Sequence, residues 1–221
     1  KPLVPPSASA QVTRTMMLSG LTKLIKQFAF WPVAISYGLV SSFLGSWGSQ
    51  LGPNMQDVLP SDVAQDDAGW MGFWGALAGM VVGVAVGLAA DSGRMAGRKK
   101  PFVLVSCALA ALFFLAFACL CSGILGSSSD ASFVGWLYST SILAALFCNA
   151  SLPLFFEMAV EAAYPIAEGL TTNVLTFVSN IGSLAFLGVQ SVQGVGTQWM
   201  NWACTGACFL PVILMLRLHE R

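Results

Sequence analysis

The sequence predicts an all-α membrane protein, a bundle of six transmembrane helices. Three observations carry this expectation. Only 9% of the 221 residues are charged and 56% are hydrophobic, whereas a soluble domain carries about 25% charged residues. Water is therefore the wrong solvent for most of this surface, and the mean hydropathy of +0.75 agrees. Charged side chains are absent from residues 27–56, 68–90, 101–129, 131–156 and 169–216, and a charge at the centre of a membrane helix costs about 2.5–3.5 kcal/mol. Finally, all ten bases fall on one side of the spans that these stretches define.

Each of the first four stretches holds one helix of about 20 residues, the length that crosses about 30 Å of hydrocarbon. The fifth is too long for one span. A polar, Gly-containing patch at residues 190–198 divides it in two. The expected helices are 29–49, 69–90, 101–122, 133–156, 170–190 and 199–217. A β-barrel would need polar and apolar residues to alternate over about ten positions, and runs such as 103–121 do not alternate. Pro101 suits a first helical turn. Small residues recur in Gly75-Ala76-Leu77-Ala78-Gly79 and Gly83-Val84-Ala85-Val86-Gly87. At that spacing they let helix backbones approach closely.

Before the first span, Lys1-Pro2-Leu3-Val4-Pro5-Pro6-Ser7-Ala8-Ser9-Ala10 reads as a Pro/Ser linker. Residues 1–26 are thus expected to be a cytoplasmic interdomain linker, with the chain beginning inside something longer. The membrane domain is expected over 27–218 and a short cytoplasmic tail over 219–221.

All ten bases lie on one side of a six-span topology. Lys1, Arg14, Lys23 and Lys26 precede the first helix. Arg94, Arg98, Lys99 and Lys100 lie between the second and third, and Arg217 and Arg221 follow the sixth. The opposite loops carry Asp57, Asp62, Asp66, Asp67 and Asp130 and no base. The positive-inside rule then places both chain ends in the cytoplasm. Glu157 and Glu161 fall on the basic side, four residues apart and so on one helix face. Like charges at that spacing repel unless a cation neutralises them. The expectation is an ionic cluster that the basic 94–100 loop completes, with Asp91, Arg94, Arg98, Glu157 and Glu161 as its members.

The balanced charge, ten Lys/Arg against ten Asp/Glu, leaves no overall attraction to nucleic acid. The six cysteines all sit in apolar runs, so no disulfide framework and no cofactor are expected. Cys204 and Cys208 share a helix face, but no nearby His or carboxylate completes a four-ligand metal site. The single histidine, His219, lies beyond the last span. A Ser–His intramembrane protease and zinc chemistry both need a histidine within a span, so the chain is not expected to be an enzyme.

Two segments resemble known families. Gly87-Leu88-Ala89-Ala90-Asp91-Ser92-Gly93-Arg94-Met95-Ala96-Gly97-Arg98-Lys99-Lys100 resembles the major facilitator superfamily loop signature, Gly-x-x-x-Asp-Arg-x-Gly-Arg-Arg/Lys. Gly87 and Asp91 match. Ser92 replaces the expected base, and Gly97-Arg98-Lys99 arrives late, as after a short insertion. Phe155-Phe156-Glu157-Met158-Ala159-Val160-Glu161-Ala162-Ala163-Tyr164-Pro165-Ile166-Ala167-Glu168-Gly169 resembles solute carrier family 49. Asp67-Ala68-Gly69-Trp70-Met71-Gly72-Phe73-Trp74 and Trp199-Met200-Asn201-Trp202 point to one branch of it. The resemblance runs from about residue 27 to the end, and implies helices 7 to 12 of a twelve-helix carrier whose N-terminal six-helix half lies outside this chain. It also implies alternating-access transport of a small organic solute. For this branch it implies proton-driven movement of pyridoxine or a related organic cation at the lysosomal membrane, with the plasma membrane as the alternative.

Polar groups within the membrane usually face the bundle interior or a water-filled path. The first helix carries Ser36, Tyr37, Ser41, Ser42, Ser46 and Trp47; the fourth carries Asn149, Ser151 and Pro153. On the fifth, Asn173, Thr176 and Asn180 form one stripe. In solute carrier family 49 the position of Asn180 is commonly a cavity-facing Gln, and Asn keeps the same amide chemistry. Trp47 offers an aromatic face to a ring or an organic cation. Trp47, Asn149, Thr176 and Asn180 are therefore the candidate cavity residues. Helix–helix hydrogen bonding, at about 0.6 kcal/mol each, competes as a role for every one of them. Pro153 removes a backbone donor and is either a hinge or an ordinary membrane proline. Asn149-Ala150-Ser151 is a formal glycosylation sequon but lies mid-span, out of reach of glycosylation. A proton-coupling carboxylate is not evident mid-span; Glu157 is the nearest. A non-transporting scaffold or sensor is the alternative function.

Overall fold

The computed structural model describes residues 14–92, 97–125 and 132–217, with side chains described for all of these except 14–18 and 61–63. Among the described residues there are eight helices and no strand: α1 (Arg14–Ile25), α2 (Phe30–Ser49), α3 (Leu51–Gln56), α4 (Ser61–Asp91), α5 (Lys99–Cys121), α6 (Phe133–Ala163), α7 (Glu168–Gln190) and α8 (Gln198–Arg217). Among the same residues, α4 from Ala64, α5, α6, α7 and α8 are long and apolar enough to cross a membrane. The sixth candidate is α2 counted with the Ser19–Ile25 part of α1, the two bent through 87°. Five serines dilute the hydropathy of α2. The chain is thus an all-α, multi-pass membrane bundle.

Hydrogen bonds at the helix ends show the up-and-down order. At one end Gln27 Nε2 donates to the Ala162 carbonyl and Lys99 meets Glu157 and Glu161. At the other, Thr197 donates to Asp57, Gln198 Nε2 donates to the Cys121 carbonyl at 3.2 Å, and Tyr138 donates to Asp67 at 2.8 Å. Lys99 with its two glutamates and the aspartates Asp57 and Asp67 therefore mark opposite ends of the bundle. α2 is central, packing on α6, α7 and α8; α5 sits against α6 and α8, and α4 against α6 and α3. Within the spans, half of α5 is buried but only 22% of α4 and 17% of α7. Those two helices turn broad apolar faces outward, including Phe73, Val81, Phe177 and Leu184.

Four boundaries differ from expectation. The segment expected to be linker is helical from Arg14, because Leu21, Leu24 and Ile25 give it an apolar side; Leu24 is fully buried. α4 starts at Ser61, eight residues earlier than 69, after Pro60. Its exposed Gln65 and Asp66 show this first part to be a polar extension. α6 continues past 156 to Ala163, since Lys99 offsets the two glutamates on the added turns. α3 forms across Gly52-Pro53, which reads as a break in sequence but is tolerated in a helix's first turn.

Close helix contact is made where glycine leaves room. A Cβ on Gly79 would lie 2.6 Å from Asn149 Nδ2, so this glycine lets α4 lie against the asparagine of α6. α2 and α7 meet at Gly38 and Gly182; a Cβ on Gly38 would sit 2.6 Å from Val178 Cγ1. Gly38→Ala is expected to destabilise the full-length protein in detergent by about 1–3 kcal/mol, the usual cost of overpacking. The comparison is Gly188→Ala, where nothing lies within 4 Å; equal melting of the two variants would refute the close crossing.

Candidate functional site

A hollow of about 380 Å³ opens between α2, α3, α4 and α6, lined by Trp47, Leu51, Met71, Gly75, Ser141 and Asn149 among others. None of its lining residues is charged. Two of the four expected cavity residues, Trp47 and Asn149, meet here.

Trp47 is 3% exposed. Its ring makes T-shaped contacts with Phe114 and Phe117, with centroids at 5.2 and 5.3 Å. Its Nε1–H donates to Asn201 Oδ1 at 2.8 Å, so the indole's one polar group is spent within the protein. What little of Trp47 borders the hollow is ring carbon rather than a free donor.

Asn149 differs. Its Nδ2 donates to the Ala145 carbonyl of its own helix at 2.8 Å. No protein donor meets its Oδ1 among the described residues. Pro153 lacks an N–H, so the Asn149 backbone carbonyl, four residues upstream, also loses its usual helix donor. Asn149 thus supplies hydrogen-bond acceptors, which suit a solute bearing hydroxyl or amino donors. Ser141 Oγ is engaged, donating to the Tyr138 carbonyl at 3.0 Å.

Thr176 and Asn180 are not brought to this hollow. They lie with Asn173 on the exposed face of α7, and Thr176 Oγ1 donates to the Thr172 carbonyl at 3.1 Å. Other α2 hydroxyls serve packing: Ser36 Oγ donates to the Pro32 carbonyl at 2.6 Å, and Ser41 pairs with Ser179 of α7 at 3.2 Å.

At the basic end the cation between the glutamates is Lys99, its Nζ 2.5 Å from Glu157 Oε2 and 2.6 Å from Glu161 Oε1. Arg98, the expected partner, is exposed, as is Asp91, and no ion pair of either is seen among the described residues. Arg94 lies outside those residues. The i,i+4 glutamates were visible in sequence; which member of the 98–100 run meets them depends on the helical phase at the start of α5. With Phe156, Glu168 and Thr172 these three side chains border a second hollow of about 440 Å³.

Sequence reasoning missed two asparagines. Asn54 of α3 and Asn201 of α8 are buried and exchange hydrogen bonds, at 2.7 Å to Asn201 Oδ1 and 3.2 Å to Asn54 Oδ1. Asn201 stood within a quoted motif, but nothing in sequence joins it to a residue 147 positions away. Cys208, expected to share a face with Cys204, has its Sγ 3.5 Å from Cys148 Sγ of α6. Among the described residues, no group of three or more His, Cys, Asp or Glu could hold a metal ion.

A polytopic helical membrane domain that encloses an uncharged hollow with one aromatic wall and one amide defines the class. Along its whole length the chain is 34% identical to the "Solute carrier family 49 member 4 homolog" of Xenopus tropicalis, and equally to that of Xenopus laevis. It spans 47% of each, about half the length of these curated relatives. The resemblance to solute carrier family 49 therefore extends over the entire chain. No protein-family model matches it.

Proposed function

We propose that this domain is one half of a membrane carrier of small organic solutes, working by alternating access. The observation that carries this is the hollow of about 380 Å³ walled by Trp47 and Asn149. Its uncharged lining, π-surface and acceptors fit a compact ring that carries hydroxyl or amino donors. Pyridoxine has that chemistry, and organic cations can use the same aromatic surface. The solute-carrier relatives support a carrier rather than an enzyme. Their length supports a further six-helix half of major facilitator type. That half completes the path along the outward faces of α4 and α7, where Asn173, Thr176 and Asn180 are available to it. The end bearing Lys23, Lys26, Lys99 and Arg217 faces the cytoplasm, in the lysosomal membrane. The movement is driven by protons through a group in the other half.

The test is uptake of tritiated pyridoxine, with tritiated choline as a second probe, into liposomes holding the full-length protein, with and without an imposed proton gradient. Asn149→Ala removes one side-chain bond to a carbonyl of its own helix, so folding should be little changed. Uptake at sub-saturating solute is expected to fall about 5- to 20-fold, as when one to two hydrogen bonds are lost. Asn180→Ala tests the α7 face in the same assay. Uptake of neither probe, or full uptake in Asn149→Ala, overturns the proposal.

A further inference from the structure

Trp47 is held from outside the cavity. Two side chains from two other helices stand behind its ring: Asn54 of α3 and Asn201 of α8. Asn201 Oδ1 accepts from Trp47 Nε1 at 2.8 Å and from Asn54 Nδ2 at 2.7 Å. Asn201 Nδ2 donates in return to Asn54 Oδ1 at 3.2 Å. Asn54 and Asn201 are 0% and 1% exposed, and neither lines the hollow.

The chemistry leaves this set one arrangement. An indole N–H can only donate. It therefore forces the oxygen of the Asn201 amide, not its nitrogen, to face it. That choice aims Asn201 Nδ2 at Asn54, which must present its own oxygen there and its nitrogen to Asn201 Oδ1. A flipped amide at either residue would set donor against donor inside a site shielded from water, at a cost that buried polar groups avoid. One edge of the indole is thus pinned by a hydrogen bond, while Phe114 and Phe117 hold the ring by edge contacts at 88° and 83°. The same six-residue helix that carries Asn54 also supplies Leu51 to the cavity wall. The amide pair therefore ties two wall residues to α8.

We infer that Asn201 and Asn54 are positioning residues for solute recognition, fixing the place of the Trp47 ring in the wall that the solute packs against. This rests on the reading of the hollow as the solute site. Neither asparagine touches solute. Each acts through the indole N–H, so their influence must vanish when that N–H is absent.

The experiment is a double-mutant cycle in the full-length protein in liposomes, with tritiated pyridoxine as probe and choline as the second. Asn201→Leu keeps the number and branching of the side-chain heavy atoms and deletes the acceptor. It is expected to raise KM about fivefold, the factor that one lost hydrogen bond supplies, with the maximal rate within about twofold. In a Trp47→Phe background, where no N–H needs a partner, the same substitution is expected to shift KM by less than about twofold. Should Asn201→Leu fail to accumulate, Asn54→Ser takes its place; it leaves the Trp47–Asn201 bond but frees the Asn201 amide to turn, and the same cycle applies. An equal KM shift in both backgrounds overturns the inference, because it marks a general packing role. An unchanged KM in Asn201→Leu, where Trp47→Phe does shift it, overturns it too. Unchanged uptake in both Trp47→Phe and Asn149→Ala instead places the failure in the cavity reading itself.

Discussion

Trp47→Ala is expected to destabilise the domain by about 3–5 kcal/mol, the range for truncating a large buried aromatic side chain. The ring is 3% exposed and packs at near right angles on two phenyl rings, so its removal forfeits packing against both Phe114 and Phe117. The Asn201 oxygen loses one of its two donors as well. The void left behind would join the neighbouring hollow of about 380 Å³ rather than collapse. Trp47→Phe refills most of that volume and should cost less than half as much. Thermal melting of the full-length protein in detergent, with expression level beside it, separates the two. Equal melting of Trp47→Ala and wild type would mean that the ring is not a structural wall of the bundle.

The second large effect is expected at Lys99. Its ammonium lies between Glu157 and Glu161 at 2.5 and 2.6 Å, with side chains 19%, 27% and 64% exposed. Lys99→Met keeps the stem and removes the charge. Two charge-assisted bonds are lost, and two carboxylates one turn apart are left to repel each other. Because Glu161 is largely open to water, the penalty is discounted to about 1–3 kcal/mol. The sign of its origin is testable. Glu157→Gln on top of Lys99→Met removes the like-charge repulsion and should return part of the lost melting temperature. A double variant no more stable than Lys99→Met would show that packing of the lysine stem, not charge, ties α5 to α6.

The helices themselves were legible for a simple reason. A charge in hydrocarbon is so costly that its absence over twenty residues is a reliable mark, and α5 and α8 fall within two residues of where that mark puts them. Ends were less legible where polar residues continue a helix beyond the apolar stretch. α4 gains its early turns and α6 its last two because helical backbone continues through polar residues once their charges find water or a partner. α1 was hidden by its Pro/Ser-rich approach, and α3 by Gly52-Pro53.

The candidate site was half legible. Trp47 and Asn149 were chosen because large or amide side chains within a span need an explanation, and the fold places both on one hollow. Thr176 and Asn180 were chosen by the same logic and by stripe geometry, yet the stripe faces out from this domain. Periodicity tells which residues share a face of α7; it does not tell what that face meets.

By itself, the sequence determined the solvent and where the apolar spans lie, because both follow from local composition against the cost of moving charge into lipid. Only the tertiary structure decided which lysine answers the glutamates, that the Trp47 N–H is already spent, and that Asn54 and Asn201 stand behind it. Those are pairings between side chains as many as 154 positions apart. They depend on helix rotation and close approach at glycines such as Gly38 and Gly79, and helical spacing along one segment carries no information about either.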